Sequence, residues 1–365
     1  MKVINDLLYE DDGTQCQFEK DIKYGGDLAA CEYIVMHCTT GPTAQSAISS
    51  FHREGLSTHL VIDRDGTVTQ CVPFNKIAWH TGSSQWADKG YRAVDSDNLS
   101  NYSIGIEMVN WEGDFYKVDD HWVKQKKISL PDEDIFFGIS KHGYPVHGCG
   151  WQKYPPEQIE KAVEVVKALV AAYSETLLDV VGHEDIKKEW ENGEQVFFKN
   201  DKQGDPNTDR EDPGPAFPMA SFRARVLALQ EGAPEDFEVF FRDVVPDYRW
   251  LIDQPELYGR NWKQGRTGPK ALASHDIVQV VERKDWWAKV VAKNPDGSTF
   301  EGWMPERYLK RIPPPVKEKE ALKEKEEIVA QPQAVIPPVN EAAEEINKDK
   351  GKVPKKPHQP PIIPV

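Results

Sequence analysis

Long apolar runs are missing from this chain of 365 residues. No stretch approaches the roughly 20 residues that a bilayer-spanning helix needs. Met1 to Glu10 lack the basic region, apolar stretch and small-residue cleavage site of a secretory leader. That predicts synthesis in the cytoplasm, with the protein either staying there or leaving by another route. Cysteine is scarce: Cys16, Cys31, Cys38, Cys71 and Cys149 are odd in number and scattered, with no C-x-x-C pair. Neither a disulfide framework nor a cysteine-zinc knuckle is expected, and buried reduced thiols are. Positive charge is in deficit, with 60 acidic against 45 basic residues and a net charge of −15. Phosphate binding needs a basic stripe, so a nucleic-acid partner is disfavoured. What the chain does hold is 39% hydrophobic residues and 11 tryptophans, a globular composition long enough for two folded units.

The composition changes abruptly at Pro313. The segment 313–365 holds eleven of the 27 prolines and no aromatic residue, and its nine lysines balance eight glutamates and one aspartate. Such a segment buries too little apolar surface to offset its ordering entropy, so a disordered Pro/Lys/Glu tail is expected. The acidic excess then belongs to the folded part. Residues 248–312 read as a small all-β unit, with short apolar segments and a turn at Asn294-Pro-Asp-Gly297. Residues 233–247 read as a linker. The larger unit, 1–232, alternates strand and helix patterns: a strand at Tyr33–His37, a helical face of Ala44, Ala47, Ile48 and Phe51, and a hairpin around Asp65-Gly66. A strand at Ser103–Val109, a helix over Pro156–Tyr173 and a closing helix over Met219–Leu229 follow. The fold class is α/β, a mixed central sheet flanked by helices.

Three places in that unit put a metal-binding side chain at or just after an apolar strand, or between rigid prolines. They are Ile34-Val-Met-His37, Val180-Val-Gly-His183 and Asp212-Pro-Gly-Pro-Ala-Phe217. Two imidazoles and one carboxylate make a catalytic zinc set that leaves a fourth position for water. The metal lowers that water's pKa towards ~7 and polarises a scissile carbonyl. His142, His147 and Cys149 offer a second, less favoured candidate site.

These residues stand among longer stretches that run in a known order: Ile34–Thr40, Thr58–Gly66, Ala78–Trp86, Asn101–Glu107, Trp151–Gln158, Gly182–Ile186 and Asp212–Phe217. Together they resemble the zinc N-acetylmuramoyl-L-alanine amidases, whose fold is shared with peptidoglycan-recognition proteins and some phage amidases. The resemblance implies Zn²⁺ held by His37, His183 and Asp212, with Glu107 as general base. Thr58 stands where the recognition proteins and phage members often carry Tyr, which favours the Glu-dependent branch. Arg210 stands where the family often places a Lys that stabilises the oxyanion; its planar donors can serve, although Arg and Lys are not freely exchangeable. His59, Trp79, His80 and Trp86 are expected at the substrate.

Gly302-Trp-Met-Pro-Glu-Arg-Tyr-Leu309, preceded by Asp285-Trp-Trp-Ala-Lys289, resembles a bacterial SH3-like domain. Such a unit would hold an enzyme on wall peptide, although Trp286, Trp287 and Trp303 also suit a barrel core. The implied activity is hydrolysis of the amide between N-acetylmuramic acid and the L-alanine of the stem peptide, on peptidoglycan or muropeptides. A phage-type lysis enzyme fits, acting on the cell wall after release. So does an antibacterial effector with a delivery or immunity partner, acting in a rival's periplasm. The alternatives are a cytoplasmic amidase recycling anhydro-muropeptides and a binding protein that has lost catalysis.

Overall fold

In the computed structural model, six strands build the sheet that carries these residues. They are Gln17–Phe18 (β1), Tyr33–Cys38 (β2), Leu60–Ile62 (β3), Val68–Gln70 (β4), Ser103–Met108 (β5) and Asp179–Gly182 (β6). The structure describes residues 1–82, 84, 86, 87, 89, 96, 98–125, 127–138, 150–186, 190, 191, 194, 195, 211–228, 235–239, 248–253, 270–284 and 287–312. The order across the sheet is β6-β2-β5-β3-β4-β1. Only β3 and β4, joined through the Asp65-Gly66 turn, pair antiparallel. All six residues of β2 are buried, as expected of a central parallel strand covered on both faces.

Strand periodicity sorts the two faces. The even positions Ile34, Met36 and Cys38 join Ile104, Ile106, Met108 and Val180 in the main core. That core is closed by the helices Pro156–Ala172 (α2) and Met219–Val226 (α3), to which Val163, Val166, Leu169 and Phe222 belong. The helix between β2 and β3, Ala44–Glu54 (α1), packs Ile48, with Ala44 and Phe51, against the cluster of Val61 on the other side. The Gln158 side chain of α2 donates to the carbonyls of Ile62 and Val109, pinning the helix to the ends of two strands. The odd positions of β2, Tyr33 and Val35, face Leu99, Leu178, Val181 and Trp86. His37 continues that odd series at the C-terminal end of the strand.

A second sheet runs in the order β10-β9-β8-β7-β11, from Glu235–Val239 (β7), Ile277–Lys284 (β8), Trp287–Lys293 (β9), Thr299–Pro305 (β10) and Leu309–Arg311 (β11). Strand β7 lies within the span expected to be a linker, yet it pairs with both β8 and β11. Phe237 and Val239 are buried with Val278, Val290 and Met304, while Asp236 is exposed and Glu238 half-buried. Trp287 and Trp303 pack with Ile252 and are buried. Trp286 lies outside the described residues, as does the segment 313–365.

Buried charges link the second sheet to the first. Arg223 of α3 donates to both carboxylate oxygens of Asp179, at 2.8 Å each, and its other amino group lies 3.7 Å from Glu306. Glu306 also accepts from Arg283 of β8 at 2.6 Å. The forked guanidinium grips the buried Asp179 carboxylate in a fixed geometry that a lysine could not reproduce, with Glu306 in ion-pair range. No helix among the described residues is long and apolar enough to cross a membrane.

Candidate active site

Parallel pairing sets β2, β5 and β6 in register: Tyr33 beside Ser103 and Asp179, and His37 beside Glu107. Side chains level with one another on parallel strands share a face. His37 and Glu107 therefore emerge together at the sheet's C-terminal edge, and His183 follows β6 there, its backbone N–H on the Met36 carbonyl at 3.0 Å. The chain returns to this edge at Asp212-Pro-Gly-Pro. There Gly214 has φ +75°, and a Cβ on it would lie 2.4 Å from the Trp151 ring. Only glycine fits that turn. Tyr154 donates its hydroxyl to the Pro213 carbonyl at 2.8 Å and fixes the same turn from the core.

The outcome is a triangle of ligand atoms. His37 Nδ1 and His183 Nδ1 are 2.8 Å apart, and Asp212 Oδ2 lies 3.3 and 3.1 Å from them. Tetrahedral zinc with bonds of about 2.0–2.1 Å separates its ligand atoms by about 3.3 Å. The outer nitrogens face other partners: His183 Nε2 the Thr81 carbonyl at 3.5 Å, and His37 Nε2 the Nδ1 of His80 at 2.9 Å. Two imidazole nitrogens and one carboxylate oxygen converging in a buried spot suit a divalent cation. Among the described residues this is the one such group of His, Cys, Asp and Glu. Burial works to raise the Asp212 carboxyl but is outweighed by the charge and hydrogen bonds of His183 and His37, which hold it well below the usual carboxylate range. It stays anionic.

The remaining expected residues separate. Trp79 is 40% exposed beside His80 and is available to a substrate. Trp86 is not: it is 3% exposed, within the cluster of Tyr33, Val35 and Leu99. His59 is likewise withdrawn, at 0% exposure. Its Nδ1 accepts from the Gly105 N–H at 3.0 Å, so the Nε2–H donates to the Lys76 carbonyl at 2.9 Å. Both nitrogens serve the backbone, and burial lowers the ring's pKa to about 4. Trp86 and His59, both expected at the substrate, are thus buried in this structure. His80 is drawn down well below the ordinary value by burial and then by its imidazole neighbours His37, His59 and His183. Arg210 and the alternative set of His142, His147 and Cys149 lie outside the described residues.

Sequence reasoning passed over Glu112. Burial and then the Asp212 charge push its carboxyl up to about 8, so it is largely protonated at neutral pH. Its backbone is tied down by Asn110 Oδ1 and Gln152 N. The only signal was an acidic residue following Trp111 directly after the catalytic strand.

Residues 27–215 match the sequence profile of the N-acetylmuramoyl-L-alanine amidases (Amidase_2), over half of the chain. The chain belongs to this family. It is an N-acetylmuramoyl-L-alanine amidase, an enzyme of peptidoglycan. The 1,6-anhydro-N-acetylmuramyl-L-alanine amidase AmpD of Escherichia coli (strain K12) is 24% identical over 188 residues, 52% of this chain and 68% of that protein. AmpD of Enterobacter cloacae is 25% identical over 193 residues, 53% of this chain and 69% of its own length. Among solved structures, a selenomethionine AmpD derivative is matched over 62% of this amidase and 99% of that chain, with 20% identity and a TM-score of 0.35.

Proposed function

We propose that this amidase is zinc-dependent, with His37, His183 and Asp212 as the ligands and Glu107 as the proton carrier. The reaction is hydrolysis of the amide joining the lactyl group of N-acetylmuramic acid to the first L-alanine. The observation carrying the proposal is the convergence of His37 Nδ1, His183 Nδ1 and Asp212 Oδ2 within 3.3 Å of one another, at the edge where Glu107 stands level with His37. Bound zinc supplies a Lewis acid for the scissile carbonyl and a lowered pKa for water at its fourth position. Glu107 takes a proton from the attacking water and returns it to the alanine nitrogen, which leaves as an amine. Arg210, two residues before Asp212, supplies positive charge to the developing oxyanion. Trp79 forms a wall for the sugar or stem.

A second reading concerns the form of the substrate. A lysis enzyme or a delivered effector, with its delivery or immunity partner, works on polymeric wall. The curated relatives are named as 1,6-anhydro-N-acetylmuramyl-L-alanine amidases, which favours soluble anhydro-muropeptides and a recycling role. The C-terminal β unit, read as SH3-like, is the wall anchor only in the first case. Full-length protein given intact sacculi and, separately, soluble anhydro-muropeptides tests both points, with mass spectrometry of the released peptides. Free stem peptide beginning with L-alanine, lost on chelation and restored by zinc, is the expected product. Products cut at another bond, or release indifferent to chelation, would sink the proposal; the preferred substrate decides between wall and recycling.

A further inference from the structure

The ring of His80, expected to face substrate, is half-buried and directs both nitrogens at protein groups. Its Nδ1 lies 2.9 Å from His37 Nε2, and its Nε2 lies 3.3 Å from Ser103 Oγ and 3.5 Å from the Ser103 carbonyl. The Ser103 hydroxyl hydrogen is already committed to the Leu99 carbonyl at 2.8 Å, so its oxygen meets the ring as an acceptor. His80 Nε2 therefore faces two acceptors and carries the ring's proton. Its Nδ1 is the lone-pair end and accepts from His37 Nε2–H. His37 is then left with an unprotonated Nδ1, the nitrogen that faces His183 and Asp212. The series of donors runs from His37 through His80 and Ser103 to the Leu99 carbonyl. Its direction is fixed at the far end, because a backbone carbonyl can only accept.

The space for this arrangement is written into β5. A Cβ on Gly105 would lie 2.6 Å from both Cγ and Nδ1 of His80, so the ring can seat against the strand only because residue 105 has no side chain. The His80 and His37 rings meet at 88°, with centroids 5.1 Å apart, the edge-on approach that brings nitrogen to nitrogen. Ser103 and Gly105 are alternate residues of one strand and so share the face that carries Glu107.

We propose that His80 is a positioning residue for the metal centre: with Ser103 it sets the tautomer and plane of His37, and it does not bind substrate. This rests on His37 being a metal ligand. Partners of a ligating imidazole fix which nitrogen offers its lone pair, and their loss costs about 10–100-fold in metal affinity. A neutral imidazole in this place adds no negative charge to the ligand set, of which Asp212 is the acidic member.

The test uses full-length protein with zinc as the probe. His80→Leu removes the acceptor, His80→Asn keeps an oxygen near the position of Nδ1, and Ser103→Ala removes the hydroxyl. Zinc affinity is measured by competition with a chromophoric chelator, and the tautomer of His37 by nitrogen NMR of protein labelled at histidine. KM and kcat on a soluble muropeptide are measured at saturating zinc. His80→Leu is expected to weaken zinc binding about 10–100-fold with KM within about twofold of the parent, while His80→Asn stays close to the parent. Ser103→Ala should shift the imidazole nitrogen resonances of His80 and His37 together. Unchanged zinc affinity in His80→Leu with a raised KM would overturn the proposal and restore a substrate contact. Should His80→Leu fail to fold, as seen by circular dichroism, unmoved His37 resonances in Ser103→Ala would overturn it instead. A folded parent that binds no zinc would refute the metal centre itself, an outcome visible before any variant is made.

Discussion

His37 and Glu107 lie side by side on parallel strands, paired in register at the edge where the sheet ends. One belongs to the candidate metal group and the other is the proposed proton carrier. That adjacency separates metal retention from proton transfer by substitution. Glu107→Gln should keep the zinc content of the parent while lowering kcat by about 10²–10⁴-fold, the usual contribution of a positioned acid–base group. Elemental analysis and steady-state kinetics on one preparation check it, and near-parental turnover would place the base elsewhere.

The zinc content itself is open to direct measurement. One zinc per chain is expected, with activity lost to a chelator and regained on adding zinc. His37→Ala and Asp212→Ala should each abolish both binding and turnover, because a three-ligand site that loses one ligand no longer holds its geometry. Active parent protein devoid of metal would end the zinc mechanism.

Arg210 offers a test from sequence position alone. Arg210→Ala should lower kcat with little change in KM, the pattern of an interaction made mainly in the transition state. Arg210→Lys should retain much of the activity if charge matters more than the planar fork. A silent Arg210→Ala would send the search to lysines between His183 and Asp212, such as Lys199 or Lys202.

His59 should leave a mark on stability rather than on catalysis. In the unfolded chain its ring titrates near the ordinary value of about 6.5, whereas in the fold burial holds it at about 4. Between those values the unfolded chain binds more protons. Stability is therefore fully present above pH 6.5 and falls as pH drops towards 4, by up to about 1.4 kcal/mol per unit. Urea unfolding at pH 7 and pH 5 should show a steeper loss in the parent than in His59→Asn, which cannot titrate. Parallel losses in the two would show that the ring does not contribute to the pH dependence.

Much of the site was legible because its chemistry sits where sequence pattern is strongest. His37 and His183 follow runs of apolar residues that suit a buried parallel strand, and Asp212 is followed closely by Pro213 and Pro215. The hairpin at Asp65-Gly66 and the helices α1 and α2 followed from turn chemistry and helical spacing. Burial of particular side chains was harder to foresee. Trp86 and Trp79 differ by seven positions and look alike in sequence, yet one is core and the other rim. His59 stands just ahead of β3 and looks no different from His80 in sequence, and only the tertiary fold reveals that its ring is spent on Gly105 and Lys76. Strand β7 was hidden by its acidic residues: Glu235-Asp-Phe-Glu-Val alternates correctly for a half-buried strand, but a short charged segment after a proline also suits a linker.

Arg223 has obligations on two sides. It grips Asp179 at the start of the strand that leads to His183, and it stands near Glu306 in the turn that closes the second sheet. A gene rearrangement that exchanged the C-terminal unit for an unrelated one would delete that second acidic neighbour while leaving the guanidinium in place. The newcomer would have to bring a carboxylate to the same spot. The two sheets are therefore best inherited as one cassette with α3 between them. Recombination breakpoints among natural relatives are expected ahead of the first sheet, before Gln17, or beyond Arg311, and not between Asp179 and Glu306.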